Sequence, residues 1–389
     1  MPHHVVFRAD ASLTIGSGHV MRCLSLADAL ARQGAQTAFV MRDCPGNLFD
    51  LVRTRGQTVL PLPADVDAPA DAALTAERLA AWIAAPIDWL VVDHYALDAR
   101  WERAVRAATR TDTAALHPDA PFALPAAARC EPMVAPSSAV DARAPNVRRM
   151  LAIDDLADRP HECDALLDQN LTTGGAARYD GLLPAHCERL VGPRFAMLQP
   201  PYAPLHQSCR PRQGPIRRLL IFFGGADRHG LTLRALQAAL SLNRDDLTID
   251  VVIGMSSPDN DQVRALAAPH KSVQVYCGLP SLAPFMAEAD LAIGAGGATS
   301  WERLCLGLPS IVVTVAENQH EVTQLLAERK MVDWIGNPQD ATTAALTAAL
   351  QAKLATGNPP NWFPDYDQLI DGRGVERVCA VLMDKESRP

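Results

Sequence analysis

Along the first half of the chain, short apolar β-branched runs alternate with longer stretches in which apolar residues recur every three or four positions. Such alternation predicts parallel strands joined by helices. HVVFRA (4–9), QTAFVM (36–41), QTVLPL (57–62) and DWLVVD (88–93) read as strands. Between the first two, GHVMRCLSLADALARQG sets Val20, Leu24, Leu26, Ala27 and Leu30 at helical spacings, and Gly34 stands where a C-cap glycine belongs. The order restarts with RRLLIFFGGAD (217–227), LTIDVVIG (247–254), SVQVYCG (272–278), ADLAIGAGGATSWERLCLGLP (289–309) and SIVVTVAENQ (310–319).

Two stretches break the rhythm. From about 111 to 146 the chain is rich in Ala and Pro and has little periodicity, which predicts a long insertion in the first domain. Five prolines between Pro200 and Pro215 predict a stiff, exposed crossing between domains. The fold class expected is therefore α/β: two Rossmann-like domains, 1–199 and 216–389, facing each other across a cleft at the carboxyl ends of their strands.

Composition narrows the chemistry. A chain of 389 residues with 48% hydrophobic and 21% charged residues is long enough for two cores, and a net charge of −8 argues against coating nucleic acid or an anionic membrane. A small-molecule substrate fits better. The nine cysteines form no CxxC pair and no zinc spacing, so reduced thiols are expected. No basic-then-apolar start and no bilayer-length apolar run is present, which makes a cytoplasmic protein the expectation; the oligomeric state stays open.

Three features carry candidate chemistry. FFGGAD and AIGAGGATSWE place small residues where a strand gives way to a helix, which frees backbone N–H groups for a phosphate. Neither is a Walker A loop or a GxGxxG fingerprint, and each alone reads equally well as a tight turn. Glu302, in the first turns after the second loop, could accept hydrogen bonds from two ribose hydroxyls or simply favour a helix N-terminus. In FRADASLTIGSGHVMRCLSLADAL (7–30), His19 stands at the tip of a Gly-flanked turn, where a satisfied structural histidine is the alternative to a catalytic one. The acidic pairs Asp154–Asp155 and Asp65–Asp67 invite a magnesium reading, but strand-end and capping carboxylates fit their context better. GSGH is not the GxSxG elbow of a serine hydrolase.

These segments resemble a known group of enzymes. IGAGGATSWERLCLGLPSIVVTVAENQ is similar to the nucleotide-sugar motif of the GT-B superfamily, as in the peptidoglycan N-acetylglucosaminyl transferase. With RADASLTIGSGHVMRCLSLADAL, VVDHYALD, IDDLADRPHECDALLDQN and FFGGAD, the chain resembles the UDP-sugar hydrolases of pseudaminic acid biosynthesis over nearly its whole length except the insertion. The resemblance implies release of UDP from UDP-2,4-diacetamido-2,4,6-trideoxy-β-L-altropyranose by water attack at the anomeric carbon, with no metal and no cofactor. It implies catalytic roles for His19, Tyr95 and Asn318 and substrate contacts from Arg8, Asp10, Gly18 and Gln319. UDP would be held by Gly225, Ala226, Gly278, Leu279, Gly296, Gly297, Thr299, Ser300 and Glu302. Physical chemistry suits this: UDP leaves readily once N–H dipoles meet its charge, so the remaining task is to aim one water, for which an imidazole serves. A GT-B glycosyltransferase, a UDP-sugar 2-epimerase and a non-catalytic nucleotide-sugar-binding protein are the alternatives.

Overall fold

The computed structural model describes residues 2–109, 146–209, 212–254, 257–359 and 368–384. The insertion expected at 111–146 lies, but for residue 146, outside them.

The first domain is built on seven strands: β1 (His4–Ala9), β2 (Gln36–Arg42), β3 (Thr58–Leu62), β4 (Ile87–Asp93), β5 (Val147–Ile153), β6 (Ala165–Asp168) and β7 (Glu188–Val191). All pair in parallel, in the order β3-β2-β1-β4-β5-β6-β7. The second domain holds β8 (Arg218–Phe222), β9 (Thr248–Ile253), β10 (Val273–Cys277), β11 (Leu291–Ala295), β12 (Ser310–Val313) and β13 (Asp333–Gly336), also parallel, in the order β10-β9-β8-β11-β12-β13. Helices cover both faces of the sheets, so every residue of β1 and of β11 is buried; β11 accordingly reads as an unbroken small and apolar run, while β1 also buries His4 and Arg8.

The order reverses at β1/β4 in one sheet and at β8/β11 in the other. At such a reversal the loops after the two adjacent strands leave for opposite faces and open a crevice. The Gly-His turn follows β1, Asp93 ends β4, FFGGAD follows β8 and GAGG follows β11. Both candidate phosphate loops and the candidate histidine are thus carried at the switch points of their sheets.

Two expectations on domain limits need correction. The crossing between domains is not simply extended and exposed: it contains a helix, Tyr202–Ser208, whose Tyr202 is fully buried. Further along it, Arg212 is buried and donates to the backbone oxygens of Ala289 and Met286 and to that of Leu306. The second domain also does not run to the chain end. Helix Gly374–Met383 returns to the first core, packing Val375, Val378, Cys379 and Leu382 beside the helix Gly18–Arg32. Trp89 Nε1 donates to the Leu382 carbonyl at 2.9 Å. The apolar face of that helix is covered by the first core. Among the described residues no helix is long and apolar enough to cross a membrane.

Candidate active site

Parallel pairing of β1 with β4 aligns Ala9 with Asp93, so the helix that begins at Gly18, just after β1, starts beside the end of β4. His19 and Asp93, 74 positions apart, meet there: Nδ1 lies 2.6 Å from Oδ1. An ionised carboxylate only accepts, so Nδ1 carries a hydrogen, and in the neutral ring the lone pair is then on Nε2. One helical turn on, Arg22 closes a bidentate pair on the same carboxylate, with Nε to Oδ2 at 2.6 Å and Nη2 to Oδ1 at 2.5 Å. Burial alone would raise the Asp93 carboxyl, but Arg22 and His19 outweigh it and hold it well below the usual carboxylate range.

The Tyr95 ring stands edge-on to His19, with centroids 4.7 Å apart. Its hydroxyl donates to Asp155 Oδ2 at 3.2 Å and accepts from Asn318 Nδ2 of the second domain at 3.0 Å. Burial and the Asp155 charge push the Tyr95 phenol well above its ordinary value, so it remains a donor at neutral pH. The domains also meet where Trp301 Nε1 donates to Asn170 Oδ1 and where the Thr173 amide donates to Glu321 Oε1. Between these bridges lies a cavity of about 280 Å³.

Of the residues expected in the site, Gly18, His19, Tyr95, Gly296, Gly297, Asn318 and Gln319 line that cavity. Gln319 Oε1 accepts the Val315 amide, which fixes the loop after β12. The Gly297 and Ala298 amides have no hydrogen-bond partner among the described residues, so they are open to an anion. Glycine is required at 296: a Cβ there would lie 2.5 Å from Thr323 Oγ1.

Arg8 and Asp10 are a correction. Neither reaches the cavity, because both are fully buried in a closed network. Arg8 donates to Asp10 at 2.7 and 3.0 Å and to Asp71 at 2.6 and 3.1 Å, the Arg42 amide and side chain and Trp101 add to the two carboxylates, and His94 Nε2 lies 3.3 Å from Asp10 Oδ2. Their polar groups are engaged within this network at the end of β1.

Thr299 and Ser300 turn their hydroxyls to Arg303, at 3.1 and 3.0 Å, and Arg303 also holds the Ala295 carbonyl. They stiffen the glycine loop and do not line the cavity. Gly225 and Ala226 lie beyond it on the loop after β8, close to the first domain: a Cβ on Gly225 would stand 3.8 Å from Ser17 Oγ. Gly254, at the end of β9, was missed by the sequence reading. A side chain there would strike the Gly225 carbonyl at 2.0 Å, so only glycine lets the two turns nest. Gly278 and Leu279 follow β10 on the far side, next to Gln199, whose amide reaches the Pro280 carbonyl.

Glu302 is partly buried, with Oε2 sealed from solvent and without a hydrogen-bond partner among the described residues. Burial pushes its carboxyl up to about 7 against the opposing hydrogen bond of Tyr202. A carboxyl raised from 4.5 in this way is disfavoured as an ion in the folded state, so stability falls as pH climbs from about 4.5 through 7. Glu302→Gln is expected to raise the melting temperature by a few degrees at pH 8 and to change little at pH 4.5. Melting curves at the two pH values check this; equal shifts at both would contradict it.

Three polar cavity residues carried no sequence signal of their own, Arg22, Gln169 and Asn170, and Asp155 carried a different one. Asp154 and Asp155 were read together as strand-end carboxylates. Asp154 fits, being fully buried, 2.9 Å from Arg159 and bonded by the Tyr179 hydroxyl. Asp155 does not, since it faces the cavity. Asp67 does cap a helix, accepting the Ala70 amide.

The architecture has known counterparts. The chain superposes on MurG of Acinetobacter baumannii with a TM-score of 0.61, 14% identity and coverage of 98% of this chain and 99% of that one. The chain has the GT-B fold. A second GT-B counterpart is a UDP-N-acetylglucosamine 2-epimerase of Listeria monocytogenes, with a TM-score of 0.56, 12% identity and coverage of 100% and 98%. Within the GT-B frame, residues 219–360 match the glycosyltransferase family 28 C-terminal domain. By sequence the chain is 22% identical over 329 residues to the UDP-2,4-diacetamido-2,4,6-trideoxy-beta-L-altropyranose hydrolase of Campylobacter jejuni, covering 84% of this chain and 96% of that protein. It is 26% identical over 203 residues to the spore coat polysaccharide biosynthesis protein SpsG of Bacillus subtilis, of which it spans little over half, 57%.

Proposed function

We propose that this chain is a UDP-sugar hydrolase that releases UDP from a UDP-linked 2,4-diacetamido-2,4,6-trideoxy-L-altrose, a step of pseudaminic acid biosynthesis. The observation that carries the reading is the pairing of His19 with a buried Asp93 at the mouth of a cleft whose opposite wall is a glycine loop with free amides. The likeness to the Campylobacter hydrolase, spread over both domains, supports the substrate class.

In this reading UDP lies against the second domain, its diphosphate meeting the Gly297 and Ala298 amides. A water held by His19 Nε2 attacks the anomeric carbon. Its oxygen forms the new C–O bond, the bond to the diphosphate oxygen breaks with the electron pair leaving on UDP, and the water proton passes to Nε2. The imidazolium so formed is stabilised by Asp93, and the proton is later lost to solvent. Amides facing the diphosphate carry the developing charge, so no metal is called for.

Purified protein in excess EDTA is expected to release UDP from the altrose-configured substrate and not from UDP-GlcNAc, as followed by chromatography. Silence in chelator that magnesium restores would overturn the metal-free mechanism. UDP release only when a sugar acceptor is added would make the chain a transferase, and conversion at C2 with the nucleotide retained would make it an epimerase.

A further inference from the structure

Asp155 follows β5, the strand beside β4, so its side chain enters the wall of the cavity next to the His19 cluster. Its carboxylate is about nine-tenths buried. Oδ2 accepts from the Tyr95 hydroxyl at 3.2 Å, and the Arg22 guanidinium stands 3.8 Å away. Oδ1 is sealed from solvent and has no hydrogen-bond partner among the described residues. A buried carboxylate oxygen left unsatisfied is costly, so Oδ1 is an acceptor in want of a donor, on a residue that lines the cavity.

The charge of that acceptor decides which part of a nucleotide sugar it meets. A diphosphate would be repelled by a carboxylate, and the free amides that suit it, those of Gly297 and Ala298, belong to the opposite domain. The uracil and ribose belong with the second domain in the reading above. What remains between His19 and Tyr95 is the sugar, a neutral group bearing N–H and O–H donors.

We propose that Asp155 is a substrate-contacting residue whose Oδ1 accepts a hydrogen bond from an N–H or O–H of the sugar ring, so that it reads the sugar while the second domain reads the nucleotide. This rests on the UDP-sugar reading of the same cleft. Asp155 keeps its other oxygen on Tyr95, and Tyr95 in turn is held by Asn318, so sugar contact and domain bridging share one chain of hydrogen bonds. Burial raises the Asp155 carboxyl above its ordinary range, in keeping with a group that gains a donor when substrate arrives.

Calorimetric titration with UDP and with UDP-2,4-diacetamido-2,4,6-trideoxy-L-altrose separates the two claims. The sugar nucleotide is titrated into His19→Ala protein, to stop turnover, with and without Asp155→Asn or Asp155→Ala. UDP should bind all forms alike. The sugar nucleotide should bind about tenfold more weakly to the Asn variant, where a neutral acceptor replaces a charged one, and about a hundredfold more weakly to the Ala variant. Loss of UDP affinity in both Asp155 variants, or sugar-nucleotide affinity unchanged in both, overturns the role of Asp155. Failure of unsubstituted protein to bind UDP at all would instead overturn the reading of the cleft. The Asn variant preserves size and shape, and a melting curve confirms that it is folded.

Discussion

His19→Ala is expected to lower turnover by about a hundredfold or more, the usual scale for a positioned general base, with UDP affinity close to that of the unsubstituted protein. The separation follows from geometry. His19 belongs to the first domain and touches Asp93, Arg22 and Tyr95, whereas the open amides for the diphosphate lie on the second. Removing the imidazole leaves the Asp93 carboxylate bidentately paired with Arg22, so no unmatched buried charge is created and the fold is expected to hold. Steady-state kinetics and UDP titration check this together. Full turnover in the variant would place the base elsewhere, and a parallel loss of UDP binding would show that the histidine serves the nucleotide.

Asp93→Asn is expected to do more damage, because one carboxylate performs two tasks. It fixes the hydrogen on His19 Nδ1, and it is the main counter-charge of the nearly buried Arg22. An amide in its place can donate to Nδ1, which would move the ring hydrogen to Nε2 and leave no lone pair facing the water. Turnover is expected to fall by about a thousandfold. Leaving the guanidinium buried against a neutral group should cost about 3 kcal/mol of stability, on the scale of a broken buried pair. Urea unfolding measures the second effect and kcat the first. A variant that is destabilised but turns over normally would reduce Asp93 to a structural anion.

The two effects also differ in pH dependence. The Asp93 carboxyl is depressed in the folded state, so its stabilising contribution is present above the ordinary carboxylate range and is lost only as pH falls below it. Glu302, raised in the folded state, acts in the opposite sense, which lets acid and alkaline stability arms be assigned to the two residues separately.

Much of the architecture was legible because apolar runs and helical spacings are local. HVVFRA became β1 (His4–Ala9), DWLVVD became β4 (Ile87–Asp93), and the glycine turns fell after β8 and β11 as read. His19 could be singled out because a polar ring between a Gly-Ser-Gly turn and an amphipathic helix is conspicuous in one dimension. The return of helix Gly374–Met383 to the first core was not legible, since an amphipathic face does not say which groove it fills. Arg8 and Asp10 were misplaced for a related reason. The resemblance implies substrate contacts for them, and only the fold brings Asp71 and Arg42, from distant segments, onto them.

The sequence by itself determined two α/β sheets, their order along the chain and the turns at which a ligand could be met, because these follow from hydrophobic period and from glycine at strand ends. Tertiary structure alone decided that Asp93 and Arg22 complete His19, that Asn318 reaches Tyr95 across the cleft, and that Asp155 faces the cavity while Asp154 is sealed. Those outcomes depend on strand order and on the seating of one domain against the other. Two adjacent aspartates are alike in sequence, and only the packing around the end of β5 sends one inward and the other to the cavity.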